Sequence, residues 1–356
     1  MPSSDIRGLA GWDAQRELEF EPHQEKGARP ARVLTRSRDT VMLLTETDTR
    51  SAVIPGRMMH QSPSAELPVV GDWVAFEDRG PQESSVVISV LERRSKFSRA
   101  AAGNRTEEQV LATNVDTVFL VSSLDTNLNP RRIERYLATA YESGAAPVLV
   151  LTKLDLLEES LTEVFARVGP AAEGVPLHLV SSHTGEGLDA LGAYLNDGTT
   201  VAVLGSSGVG KSTLINRIIG SEVMATKEIR DDGKGRHTTT HRELFPLPSG
   251  AALIDTPGMR ELGLWEAPTG LDDGFTDIAS VAEGCRFRDC SHDSEPACAV
   301  RAAIESGELD PARLESYRKL ERELKHLELK QDRRAASEET RKWKVLEKEM
   351  RRSHGW

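Results

Sequence analysis

Apolar positions in the first third of the chain fall into short runs, not helical stripes. Arg32-Val33-Leu34, Thr40-Val41-Met42-Leu43-Leu44, Ser51-Ala52-Val53-Ile54, Asp72-Trp73-Val74-Ala75-Phe76 and Ser85-Val86-Val87-Ile88-Ser89-Val90 are β-branched or apolar. Clusters of Gly, Pro and Asp separate them, which predicts five strands. Five strands in so short a stretch suit a small barrel of the OB type over residues 29–100, with a sandwich fragment as the alternative. Residues 1–28 are polar and acidic and are expected to form a flexible arm. From Asn114 the pattern changes: strand-like runs at 115–121, 147–151, 177–180, 201–204 and 251–254 alternate with helix-like stretches such as Pro130 to Ser143. That alternation predicts a mostly parallel α/β sheet over residues 101–268. Residues 269–356 hold every cysteine, then a helix opened by Asp310-Pro311 with Leu314, Tyr317, Leu320, Leu324 and Leu327 on one face. The last two dozen residues are charged.

The bulk numbers narrow the class. The chain has 356 residues, 38% hydrophobic and 28% charged, enough for several globular cores. It has no apolar run of membrane-spanning length and no basic segment leading into an apolar one at the N-terminus, so a cytoplasmic protein without membrane association is expected, acting as a monomer. In that setting three cysteines read better as metal ligands than as disulfide partners. The net charge of −11 is unevenly spread. Residues 106–205 hold 14 Asp/Glu against 5 Lys/Arg, whereas residues 28–105 hold 12 Lys/Arg against 9 Asp/Glu and residues 313–356 hold 14 against 9. Basic flanks around an acidic centre can dock on phosphates; Arg93, Arg94, Lys96 and Arg99 are the expected contacts.

Gly205-Ser206-Ser207-Gly208-Val209-Gly210-Lys211-Ser212 matches GxxxxGK[ST], and the strand before it and helix after it supply the context that motif needs. Its glycines allow backbone N–H groups to approach phosphate, Lys211 neutralises charge there, and the Ser212 hydroxyl is placed to ligate Mg²⁺. Asp255-Thr256-Pro257-Gly258 follows a strand, so that Asp255 can hold the Mg²⁺ shell and the Gly258 N–H can sense a γ-phosphate. Thr152-Lys153-Leu154-Asp155 is a TKxD guanine signature: Asp155 can accept from guanine N1–H and the exocyclic amine, a donor pair that adenine lacks. The Lys153 stem can lie along the ring, and Ser181-Ser182 after the next strand can donate to guanine O6. The guanine signature precedes the phosphate loop, the reverse of the usual order.

Gly233-Lys234-Gly235-Arg236-His237-Thr238-Thr239-Thr240-His241 lies between the phosphate loop and DTPG and is expected to switch with nucleotide, Thr239 completing the Mg²⁺ sphere. Met259 stands where a water-orienting Gln is common, so slow intrinsic hydrolysis is expected, with His237 placing the water. Cys285-x₄-Cys290-x-His292-x₅-Cys298 offers three thiolates and an imidazole for a closed structural zinc site.

The order TKxD, SS, GSSGVGKST, GRHTTT, DTPG and CxxxxCxHxxxxxC closely resembles the ribosome small subunit-dependent GTPase A family (RsgA/YjeQ) over roughly residues 30–325. The resemblance implies an N-terminal OB-fold, a circularly permuted GTPase domain and a C-terminal zinc-knuckle helical domain. It implies GTP/GDP, Mg²⁺ and one structural Zn²⁺ as cofactors. It also implies a late role in small-subunit maturation, with hydrolysis stimulated by that subunit and coupled to release. The partners would be the subunit, its rRNA and further assembly factors. Guanine contacts would fall on Thr152, Lys153, Leu154 and Asp155, and phosphate contacts on Gly205 through Thr213. Thr152 stands where many GTPases have Asn, which implies a weaker brace for the loop. A GTP-licensed rRNA-binding module with incidental turnover is the alternative function.

Overall fold

The computed structural model describes residues 11–80, 83–100, 108–125, 128–220, 242–255, 271 and 274–326. Helix α1 (Ala14–Gln24) leads into strands β1 (Arg29–Arg36), β2 (Thr40–Leu44) and β3 (Thr49–Val53). A short helix α2 (Gly56–Gln61) precedes β4 (Trp73–Glu77) and β5 (Ser85–Val90). These strands pair in the order β1-β2-β3-β5-β4 and close through β1–β4, with β3 and β5 parallel. Closure removes the exposed edges that a five-stranded sheet would otherwise present. Inward positions alternate, with Ala31 and Val33, Val41 and Leu43, and Val74 and Phe76 filling the barrel. Register shifts at Val33/Thr35 and Ala75/Phe76 mark bulges, which help a small sheet to curl.

The polar N-terminal segment is not wholly the arm expected. α1 is capped by Asp13, whose side chain accepts from the Arg16 N–H. It lays Trp12 and Phe20 on the outer face of β4, against Trp73 and Ala75. This explains the unbroken apolar run Trp73–Phe76, since β4 is covered on both faces. The Arg16 guanidinium donates to Glu19, to the Glu92 carbonyl and to Asn114 Oδ1. Arg32 is also buried, donating to the Gly71 and Asn114 carbonyls with its guanidinium 5.3 Å from the Trp73 ring. A helix rich in charge escaped the sequence pattern because Phe20 is the one apolar residue within it that is buried, Trp12 standing just before its cap.

A hairpin, β6 (Lys96–Ala100) with β7 (Glu108–Thr113), follows, then β8 (Thr117–Ser123), α3 (Pro130–Ser143), β9 (Ala146–Thr152), α4 (Leu161–Val168), β10 (Leu177–Leu179), β11 (Thr200–Gly205), α5 (Lys211–Ile219), β12 (Glu243–Pro246) and β13 (Ala252–Asp255). The sheet order is β10-β9-β8-β11-β13-β12, all parallel except β12. Alternate residues of its strands pack to opposite faces: Val118 and Leu120 join a core with α3 and α4, while Phe119 and Val121 join one with α5. α3 begins at Asn129-Pro130 and ends at Gly144, whose φ of +83° only glycine adopts readily. α4 carries a full capping box from Ser160 and Glu163.

Successive strands β8, β9 and β10 step outward on one side, and β11 then returns to the other side of β8. The chain thus reverses direction between β8 and β11, and a crevice outside the carboxyl ends of strands at such a switch point is the preferred place for a ligand. Helices α6 (Thr276–Ala282), α7 (Ala299–Ser306) and α8 (311–326) build a third core around Phe275, Ile278, Val300, Leu314, Leu320 and Leu324. Asp310 caps α8 by accepting from the Ala312 N–H. Ala138 of α3 belongs to this third core, and Arg313 binds both Glu134 (3.1 Å) and Asp277 (2.7 Å) while its guanidinium lies 4.3 Å from the Phe275 ring. No helix among the described residues is long and apolar enough to cross a membrane.

Candidate functional site

The carboxyl ends of β9, β11 and β13 bring together segments that are far apart in sequence. Gly205 ends β11 beside Val121 of β8; a Cβ there would stand 2.3 Å from the Val121 carbonyl oxygen, so only glycine lets these strands approach. Gly208 and Gly210 take φ of +79° and +90°, which turns the loop back over the start of α5. α5 has no side-chain cap, so its first N–H groups and the positive end of its dipole face the loop. The Lys211 ammonium donates to the Ser206 carbonyl at 2.5 Å, folded across the loop. Asp255, buried at the end of β13, pairs with Val203 of β11 and so stands one strand away.

Thr152 ends β9 and is buried. Its hydroxyl donates to the Val209 carbonyl at 2.5 Å and lies 3.2 Å from the Ser122 carbonyl. The residue expected to be a weaker brace thus ties the guanine signature directly to the phosphate loop and to β8. Lys153 follows in the left-handed region (φ +61°) and its ammonium meets Asp125 at 2.8 Å; the Ser123 hydroxyl donates to that same carboxylate. Ser181 is not free to meet a ligand: its hydroxyl donates to Asp155 at 2.5 Å and accepts from the Thr184 N–H. The Ser182 hydroxyl is enclosed and has no protein partner among the described residues, while its carbonyl is held by Arg217 of α5 at 2.8 Å. Gly187 closes this turn; a Cβ there would meet the Leu179 carbonyl at 2.1 Å. The sequence pattern did not single out Asp125, Arg217 or Arg132, whose guanidinium donates to Ser206 Oγ at 3.1 Å from the first turn of α3. Ser123-Leu124-Asp125 at a strand end was the one visible signal. His237, Thr239, Gly258 and Met259 lie outside the described residues.

Cys285, Cys290, His292 and Cys298 converge, with one ligand atom from each lying within 4.8 Å of the others. Cys285 Sγ is 3.9 Å from Cys298 Sγ, and His292 Nδ1 is 3.6 and 3.5 Å from those sulfurs. A tetrahedron with zinc–sulfur bonds of about 2.3 Å and a zinc–nitrogen bond of about 2.0 Å has edges of about 3.5–3.8 Å. Cys285, His292 and Cys298 lie close to those separations, and with the Cys290 thiol in the same cluster the set fits zinc. His292 and Ala297 hold φ of +61° and +58°, a backbone cost that a closed metal site offsets. The Glu295 carboxylate accepts from the N–H groups of Ser291, Asp293 and Ser294, and these bonds, led by the Ser291 hydroxyl, hold its carboxyl down at about 2.

All four basic residues expected on RNA are engaged within the fold. Arg93 is bidentate with Asp72 at 2.8 and 2.7 Å, Arg94 is bidentate with Asp13, and Lys96 meets Glu108 at 2.6 Å. Arg99 donates to Gln109 at 3.1 Å.

A phosphate loop, a guanine signature and a strand-end aspartate on one sheet, in rotated chain order, define a circularly permuted GTPase flanked by a barrel and a Cys₃His module. The comparisons agree. The RsgA GTPase family model matches residues 90–265. "Small ribosomal subunit biogenesis GTPase RsgA 2" of Lactiplantibacillus plantarum is 47% identical over 305 residues, covering 85% of both chains. The RsgA of Streptomyces avermitilis is 46% identical over 344 residues, 94% of this chain and 90% of its own. YjeQ from Thermotoga maritima superposes with a TM-score of 0.62 at 27% identity, over 83% of this chain and 98% of that one. The chain belongs to the RsgA GTPase family.

Proposed function

We propose that this protein hydrolyses GTP during late maturation of the small ribosomal subunit, that the subunit stimulates turnover, and that hydrolysis releases the factor. The bond from Thr152 to Val209 carries the nucleotide assignment, because it joins the segment that would read the base to the loop that would hold the phosphates. Asp155, steadied by Ser181, would accept from guanine N1–H and the exocyclic amine. Lys153, held by Asp125, would run its stem along the ring, with Leu154 setting the turn and Ser182 meeting the far edge of the base. N–H groups from Gly205 through Thr213 would face the phosphates, and Lys211 would leave the Ser206 carbonyl for them. Ser212 and Asp255 would hold Mg²⁺, which neutralises charge between the terminal phosphates. From the 233–241 segment, Thr239 would complete that metal's sphere and His237 would orient the attacking water, while Gly258 senses the γ-phosphate. Cys285, Cys290, His292 and Cys298 would hold structural zinc.

The names of the relatives support the subunit as partner. The deciding experiment is GTP turnover by the full, zinc-loaded chain with and without purified small subunits. Faster turnover with the subunits present is the expected result. Equal rates would leave a passive GTP-licensed binder. A His237→Ala variant that keeps full stimulated turnover would remove His237 from the mechanism.

A further inference from the structure

Arg29, Arg50, Arg79, Arg93 and Arg94 each face a carboxylate. Arg36 and Arg242 differ. Thr35 of β1 pairs with Glu243 of β12, the register that joins barrel to GTPase sheet. Extending that antiparallel register by one step sets position 36 opposite position 242. Residues so placed project to one face with Cβ atoms about 4.5–5.5 Å apart, and like charges there repel. The Arg36 guanidinium donates to the Pro68 carbonyl at 3.1 Å. The Arg242 Nε is enclosed and has no hydrogen-bond partner among the described residues. Neither makes an ion pair among the described residues. Burial lowers the Arg242 pKa, and the positive charges of Arg99 and Arg36 lower it further. Burial also lowers that of Arg36, which feels Asp72 against it and Arg93 beyond. Two half-buried guanidiniums opposed across a seam, with a third nearby, destabilise the free protein unless an anion joins them.

We propose that Arg36 and Arg242, flanked by Arg99, form a docking site for one backbone phosphate of RNA. The inference rests on the small-subunit function proposed above. Two guanidiniums brought to one seam suit a phosphodiester, whose charged oxygens accept N–H bonds from both. The bound nucleotide is not the occupant: β12 is two strands from β11, about 10 Å at ordinary strand spacing. The site still senses the nucleotide end of the sheet, because Glu243 pairs with Asp255 and Arg242 directly follows the 233–241 segment. A phosphate clamped here joins the barrel to the strand that leaves that segment.

The test uses full-length, zinc-loaded protein with a non-hydrolysable GTP analogue. Wild type, Arg36→Gln, Arg242→Gln and the double variant are titrated against purified small subunits and, separately, a single-stranded RNA oligomer, over a range of KCl. Losing one phosphate contact makes the slope of log K against log salt shallower by about 0.7–0.9, equivalent to about five- to eightfold in affinity at 0.1 M salt. Each single variant should lose most of that, and the double variant little more, because both arginines serve one phosphate. Melting temperature should not fall in the variants, and GTP affinity should not change. Unchanged slope and affinity in the double variant on both RNAs would overturn the site, as would a lowered melting temperature. If wild type binds the oligomer but not the subunit, and the variants lose the oligomer slope, the site stands and the subunit function falls. Binding to neither by wild type overturns both.

Discussion

Replacing Thr152 by Val deletes one hydroxyl and keeps the shape. The side chain is 1% exposed, and its Oγ1 lies 2.5 Å from the Val209 carbonyl and 3.2 Å from that of Ser122. A neutral buried hydrogen bond contributes ~1 kcal/mol, and an acceptor left unpaired costs about 1–3 kcal/mol. A loss of about 1–2 kcal/mol of stability follows, which lowers the melting temperature of a domain of this size by about 2–8 °C. The same bond holds the phosphate loop in its turn. If about 1 kcal/mol of that preorganisation is lost on binding, nucleotide Kd rises about fivefold. Preference for GTP over ATP should not move, since Asp155 is untouched. Thr152→Ser, which keeps the hydroxyl, should bind nearly as wild type does. Titration with a fluorescent GDP analogue, beside thermal unfolding, reads both quantities. A Val variant with wild-type affinity, or a Ser variant as impaired as Val, would refute the brace.

Asp155→Asn should weaken GTP binding at least about 100-fold, while xanthosine triphosphate, with a carbonyl where guanine has its amine, should bind the variant better than GTP; competition binding measures both. Metal analysis should find roughly one zinc per chain, and Cys298→Ser should abolish it and lower the unfolding temperature of the core around Phe275 and Val300 while GTP still binds. Asp13 is held below its ordinary carboxyl range chiefly by its bond to Arg94, with the Arg16 N–H adding to it. A depressed folded pKa means that its support for α1 is full above about pH 4 and is lost as pH falls through the lowered value. Trp12, 4.8 Å from Trp73, should report that release by fluorescence, and Asp13→Ala should lose about 0.5–2 kcal/mol at neutral pH.

Much was legible in the chain because its chemistry is local. Gly205 through Ser212 reads as a phosphate loop for reasons internal to the loop, and the structure has the glycines at its turns, a strand before and a helix after. The Cys₃His spacing and the five barrel runs are likewise short-range signals, and the strands at 40–44 and 85–90 fall where the runs placed them. Charge was the poor guide. Arg93, Arg94 and Lys96 read as a basic patch, but their partners Asp72, Asp13 and Glu108 come from other elements. Arg36 and Arg242 are 206 positions apart and become neighbours only when β1 meets β12. Whether Thr152 braces the loop depended on how close β9 runs to Val209. Residue type and spacing fix what a side chain can do; which long-range partner satisfies it is decided when strands distant in sequence pair, because hydrogen bonds and ion pairs act over a few ångströms and only the fold sets those.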